Sequence, residues 1–409
     1  MTDPTAAAPT ADPSEPVRLG ASLSKILRGE RPTFIVAKSY QASTRLGEVF
    51  DALHGLWGKR LGLGTTIRMT HSTPTRAATY MASHSNVPLR LVDPELHHGP
   101  DTKFEDADPK TAADKWSFLE AMPTRPNATW TKAVLQAQRD AGATVLLSAS
   151  GWVHDVKAEK TLKAQMNFVE ESRSHAPNEP MMVNLAFDHR WLAESTLRDI
   201  LLEEIVERNE KHWYLRFYWP IVKTRYGQLL DAAVLDGYRE LAALCRDEGK
   251  SLFLPNTGLT GWVASAFGAA GFSTGQSWPE QAFARQQVIA GRKGQQRPPK
   301  VPRFFEPTIL HTAEYGEHER LSAFTDHVAE ADPFALEIEE NGHSTEVASL
   351  HYLMAVGELQ AALRTNDPRG TARKTVRRAK RFVEGLDRAD QLTGANRPQH
   401  LDLWYRALT

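Results

Sequence analysis

Asp188 and His189 close the apolar run MMVNLAF. A carboxylate beside an imidazole at a strand end can exchange protons with a substrate or ligate a metal. Other polar residues stand in equivalent places. Lys38, Ser39 and Tyr40 follow TFIVA, while Asp93, Glu95, His97 and His98 follow LRLV. Ser148, Ser150, His154 and Asp155 follow TVLL, Asn256 and Thr257 follow SLFL, and Ser273 to Gln276 end GFSTGQ. Adjacent strand residues point to opposite faces, so one of each pair looks inward unless the chain kinks. We read Asp188, His189, Asp155 and Asp93 as catalytic candidates. Lys38, Ser150, Asn184, Arg216, Tyr218, Asn256, Ser273, Gly275 and Gln276 are read as substrate-binding. His97–His98, His154–Asp155 and Glu306 could extend a mixed His/carboxylate set. No residue set is assigned to a metal, and no cofactor is read from the sequence.

Arg216 sits within HWYLRFYW. Facing a barrel interior it would need a carboxylate or an anionic substrate beside it; facing outward, its stem would cover a helix. The small residues of GAAGFSTGQSW would let backbone N–H groups approach a phosphate or ribose, or would serve tight helix–strand packing. RGTARKTVRRAKR (369–381) has seven basic residues and no acidic one. Arg373, Arg377, Lys380 and Arg381 fall near one helical face, and with Arg378 they form a candidate DNA- or RNA-binding surface. A solvated helix paired with acidic neighbours is the alternative.

The elements that must position these groups alternate. Strand 33–38 precedes helix 43–60, and short strands at 65–70 and 89–92 lead into a long loop at 97–126, with a short helix expected at 116–119. Then follow helix 128–141, strand 144–148, helix 157–174, strand 181–187, helix 194–208, strand 212–218, helix 226–248, strand 251–254, helix 259–268 and strand 272–274. Short links between such units imply parallel strands. A (β/α)8 TIM-type barrel is favoured over an open sheet. Eight strands can be counted with either 65–70 or 303–310 as the eighth, and no G-x-G-x-x-G turn follows the first strand. Residues 291–303 read as a basic, Pro-rich connector, and 317–330, 344–365 and 370–388 as helices. The expected organisation is a disordered tail at 1–18, a barrel at 19–310 and a helical C-terminal region at 311–409.

The 409 residues suit one large domain with an appendage. With 49 basic and 50 acidic side chains, attraction to nucleic acid must come from a local patch. The single cysteine, Cys245, excludes an intramolecular disulfide and a thiolate zinc cluster. The first 18 residues lack the basic and apolar regions of a secretory signal, and no run is long enough to span a bilayer, so a cytoplasmic location without membrane contact is expected.

GWVASAFGAAGFSTGQSW, an irregular insert, and the helix SLHYLMAVGELQAAL follow one another in an order that distantly resembles the tRNA-guanine transglycosylase superfamily, including relatives that insert deazaguanines into DNA. The resemblance covers about residues 255–365. It implies a barrel that exchanges a base at a glycosidic bond. The family's zinc site uses a cysteine cluster and a histidine in the insert. Here the insert has no cysteine, His351 matches the histidine, and Ser273 and Thr274 stand near the position of the aspartate nucleophile.

Three functions follow as expectations. The first is base transfer or glycosidic-bond chemistry on a nucleoside, nucleotide or nucleic acid. Asp188 or Asp155 would move protons, Arg216 and Asn256 would orient substrate, and Ser273 to Gln276 would contact phosphate or sugar. The second is a lyase or metal-assisted hydrolase of a small acidic metabolite, using Asp93, His97, Asp188 and His189. The third is a non-catalytic nucleic-acid-binding barrel acting through helix 370–388.

Overall fold

Short apolar runs bounded by turns become the staves of a barrel. The computed structural model describes residues 19–38, 44–97, 116–119, 122–222, 228–286, 301–329 and 331–409. The expectations for the tail, for Ser39, Tyr40 and His98, and for most of loop 97–126 and of the 291–303 connector lie outside these residues.

The strands are β1 (Thr33–Ala37), β2 (Gly62–Arg68), β3 (Leu89–Asp93), β4 (Leu146–Leu147), β5 (Trp152–Val153), β6 (Met181–Asp188), β7 (His212–Val222), β8 (Ser251–Leu254) and β9 (Gly271–Gly275). Eight of them run parallel in the order β3-β2-β1-β9-β8-β7-β6-β4, with β5 pairing alongside β6. Between β3 and β4 the Thr144 N–H donates to the Arg90 carbonyl at 2.9 Å, and the Arg90 N–H to Thr144 Oγ1 at 2.8 Å. The chain is therefore a nearly closed (β/α)8 barrel. Residues 62–68 supply the strand that sequence reading left open, whereas Arg303–Glu306 pairs antiparallel with His311–Glu314 in a separate hairpin, β11–β12; a short β10 (Ala284–Gln286) joins β7.

The helices are α1 (Ala21–Leu27), α2 (Leu46–Trp57), α3 (Pro74–Ser83), α4 (Ala128–Asp140), α5 (Ala158–Ser174), α6 (Arg190–Ala193), α7 (Ser195–Glu207), α8 (Ala232–Asp247), α9 (Gly258–Phe267), α10 (Trp278–Gln281), α11 (Tyr315–Leu321), α12 (Pro333–Asn341), α13 (Thr345–Ala362), α14 (Pro368–Gly385) and α15 (His400–Leu408). Ser117–Leu119 forms a single 3-10 turn. Several starts are capped as the sequence demands. The side chains of Thr73, Asn127, Asp231, Asp332 and Asp367 accept N–H groups of the first turn, three of them just before a proline that needs no acceptor.

Strand alternation divides the apolar residues in two. Val183, Leu185, Trp213, Leu215, Phe217 and Phe272 face the helices. Ile35, Leu89, Leu91, Leu147, Met182, Tyr214 and Phe253 face inward and join Leu23, Ile26 and Leu27 of α1. That short helix, not anticipated from its seven residues, closes the amino-terminal mouth of the barrel. At the seam between β9 and β1 lies α13. Gln360 Nε2 donates to Ser265 Oγ at 3.1 Å, the Tyr352 hydroxyl meets Thr274 Oγ1 at 2.9 Å, and Gly357 lies against Leu53 of α2. This helix, buried almost all round, fills the last place in the helical ring after the hairpin excursion.

Candidate active site

Halfway up, the barrel interior changes from apolar to charged. Residues 66 and 68 of β2, 93 of β3, 184 of β6, 216 of β7 and 273 of β9 share the inward parity of the apolar cluster below them and lie toward the carboxyl ends of the strands. Arg216 is 1% exposed, and its guanidinium pairs with the Asp93 carboxylate and lies 3.0 Å from His97 Nδ1. One strand round, Arg68 Nε donates to Glu95 at 2.7 Å while its Nη1 lies 3.4 Å from Glu280. Thr70 Oγ1 donates to the other Glu95 oxygen, and Ser277 Oγ to Glu280. Asp93 Oδ1 in turn accepts the Glu95 N–H at 2.9 Å. Glu95 holds φ at +48°, and Asn256, at the end of β8, holds +53°. Strained backbone of this kind gathers where side chains are aimed for a purpose.

Burial raises the Asp93 carboxyl above the ordinary carboxylate range, against the pull of the Arg216 charge. Burial likewise raises Glu280, against Arg68. Two carboxyls are thus shifted toward their protonated, proton-donating form. Phe283 lies beneath the group, edge-on to His97 and Tyr218 and 5.8 Å from the Arg216 guanidinium.

Asn184 adds a different feature. It is 3% exposed and inward-facing, and its backbone N–H donates to Ser148 Oγ at 2.8 Å. Its carboxamide makes no hydrogen bond among the described residues. Neither of its polar atoms is sealed from solvent, so the amide is open to a ligand or water.

Other expected residues are placed as follows. Ser150 donates to the Asn184 carbonyl at 2.7 Å and meets Ser148 Oγ at 2.7 Å, lacing β4 to β6 where the ladder is short. Ser273 Oγ accepts the Asn256 N–H at 2.8 Å, and Gln276 donates to Ser349 at 2.6 Å, so these hydroxyl and amide groups hold loops. A Cβ on Gly275 would stand 2.5 Å from the Ala37 carbonyl and 2.4 Å from Glu280 Cβ, which makes this glycine the condition for the approach of Glu280. Lys38 is half-buried, 5.5 Å from the centre of the Tyr80 ring, with burial lowering its ammonium.

Asp188 ends β6 facing inward, and the chain turns at once into α6. The kink brings His189 Nδ1 to 3.0 Å from Asp188 Oδ1. Burial would raise Asp188, but the adjacent His189 ring and the hydrogen bond from the Arg190 N–H outweigh it and hold the carboxyl low; the same Asp188 contact raises His189. Asp155 pairs with Arg190 on the outer rim. Asp188, Arg216, Asn256 and Ser273 share the carboxyl end of the barrel, as their strand positions require. On α14, Arg373, Arg377, Arg378 and Arg381 are exposed, as is Lys374, and none of the five makes an ion pair among the described residues; Lys380 pairs with Glu384 and Asp402.

Sequence reading left out Arg68, Thr70, Glu280 and Phe283. Arg68 carried a signal, since it is charged and inward in the β-branched run TTIRMT, as Arg216 is in its own strand. Glu280 carried none, because it arrives from a four-residue helix.

The (β/α)8 barrel thus holds three buried carboxylates among two guanidiniums at its carboxyl mouth. No known family model matches the chain, and no curated protein matches it. No helix among the described residues is long and apolar enough to cross a membrane.

Proposed function

We propose that the protein is a barrel enzyme acting on a nucleobase within a nucleoside or nucleic acid, by transfer or hydrolysis at the glycosidic bond. The observation that carries this reading is the inward set Asp93, Glu95 and Glu280, held among Arg68 and Arg216, with the inward Asn184 carboxamide making no hydrogen bond among the described residues. Both guanidiniums are already matched by carboxylates, which disfavours a small acidic metabolite and favours a neutral partner rich in donors and acceptors. A base edge is such a partner, since carboxylates accept its N–H groups and a carboxamide both donates and accepts. Cleavage requires a proton for the departing base nitrogen and a carboxylate to activate water or attack the anomeric carbon. Glu280, with its raised pKa, suits the first role, and Asp188, held ionised, suits the second.

The exposed Arg373, Arg377, Arg378 and Arg381 of α14 supply a second surface, suited to a phosphate backbone. DNA or RNA is therefore the favoured carrier of the base. Chromatography of DNA, RNA and nucleosides incubated with the protein tests this reading through release or exchange of a base. Glu280→Gln and Asn184→Ala should each slow it by about tenfold or more, the equivalent of one hydrogen bond of about 1.4 kcal/mol. Unchanged turnover in both variants would remove the barrel mouth from the chemistry. Salt-dependent retention of nucleic acid without any base release would leave the binding-only function standing.

A further inference from the structure

We propose that Glu306, His318 and His327 form a site for one divalent transition-metal ion of zinc-like preference, with a fourth position left for water. Glu306 ends β11, His318 lies on α11, and His327 follows nine residues later. One ligand atom from each lies within 4.8 Å of the other two. His318 Nδ1 is 2.7 Å and His327 Nε2 3.0 Å from the same carboxylate oxygen, Oε2. Donors about 2.0–2.2 Å from a tetrahedral ion stand about 3.3–3.6 Å apart, so the two contacts to Oε2 need lengthen by only about half an ångström to admit one.

The second observation is one of charge. Glu306 is 0% exposed, and among the described residues its ion-pair partners are these two imidazoles. A carboxylate so far from water requires positive charge beside it. A divalent ion supplies that charge and uses the same lone pairs. The surroundings already orient the donors. The Thr308 N–H holds Glu306 Oε1 at 2.9 Å, and the His318 ring lies on Phe304 with centroids 4.0 Å apart. The histidine side chains are 13% and 8% exposed, which leaves a route from solvent. Two imidazoles and one carboxylate suit zinc, iron, nickel or copper better than magnesium or calcium. His351 takes no part, since its ring nitrogens are engaged by Asp332 and by the Phe305 carbonyl.

The site shares no residue with the barrel mouth and stands or falls independently of the reading given there. An ion would fasten the end of β11 to α11 and to the segment reaching His327, across chain spans of 12 and 9 residues. The test uses the full chain stripped by a chelator and titrated with Zn2+ or Co2+ alone. One equivalent should bind, Co2+ should give the visible absorption of a low-coordinate site, and the melting temperature should rise. Glu306→Gln and His327→Gln should each weaken binding by more than about 100-fold. X-ray absorption of the zinc-loaded, unaltered protein should show two imidazoles in the ion's shell, a readout that needs no variant to fold. No stoichiometric uptake, equal affinity in the variants, or a shell without paired imidazoles would overturn the assignment.

Discussion

A guanidinium with 1% of its surface exposed has only its neighbours to balance it, and Arg216 has Asp93 and His97. Replacing it with leucine strands the Asp93 charge. Arg216→Leu should therefore lower unfolding free energy by about 3–5 kcal/mol at neutral pH, measured by urea denaturation. The penalty should shrink in acid, because a protonated Asp93 no longer needs a cation; a pH-independent loss would show that the pair is not what the residue is for. Asn184 makes the opposite case. Its carboxamide makes no hydrogen bond among the described residues, so Asn184→Ala should leave the denaturation midpoint nearly unchanged while impairing ligand binding. The Asp188–His189 pair sets a pH window. His189 is raised in the folded state, so its contribution is full below the ordinary histidine value of about 6.5 and is lost as pH rises through the raised one. Asp188 is lowered, so its contribution is full above about 3.9 and is lost as pH falls through the lowered value. The stability difference between the wild type and His189→Asn should be largest between about pH 4 and 6.5 and decline toward pH 9. A difference that grows with pH would contradict the assignment.

At the scale of elements, the strand ends are held by close approach. Gly275→Ala drives a methyl toward the Ala37 carbonyl and toward Glu280, neither of which can retreat without disturbing β1 or the mouth. Overpacking of this kind costs about 1–3 kcal/mol, and here the shift of Glu280 should impair activity beyond the loss of stability. A variant as active and stable as the wild type would mean that Glu280 tolerates displacement. Helix α14 shows a different logic. Its apolar side, with Ala372, Val376 and Ala379, is buried, while Arg373, Arg377, Arg378 and Arg381 are exposed and make no ion pair among the described residues. Arg377→Glu with Arg378→Glu should leave folding intact, weaken retention of nucleic acid and flatten its dependence on salt by about two units of slope. Retention unaffected by the charge reversal would place binding elsewhere.

For the whole molecule, closure depends on parts distant in sequence. α1 seals one mouth of the barrel with Leu23, Ile26 and Leu27, and α13, more than 300 residues later, seals the seam between β9 and β1. Ile26, 1% exposed, lies in the plug. Ile26→Ala should cost about 2–5 kcal/mol, since neighbouring strands cannot collapse into the space it leaves. A loss below about 1 kcal/mol would show that the plug is dispensable.

Local pattern determined a great deal. The β-branched runs, the helical spacing between them and their short links carried the parallel barrel, and with it the placing of polar strand-end residues on one rim, whereas the face taken by Arg216 stayed open. Those features depend on neighbours a few residues away, which is the range over which periodicity reports. Tertiary structure alone decided that Arg68 meets Glu95 and Glu280, 27 and 212 residues distant, and that Glu306 receives two histidines. It also decided that α13 completes the ring rather than standing in an appendage. Ion pairs inside a barrel have no period, because each partner is chosen by the curvature that brings strand ends together, and that curvature exists only once the sheet has closed.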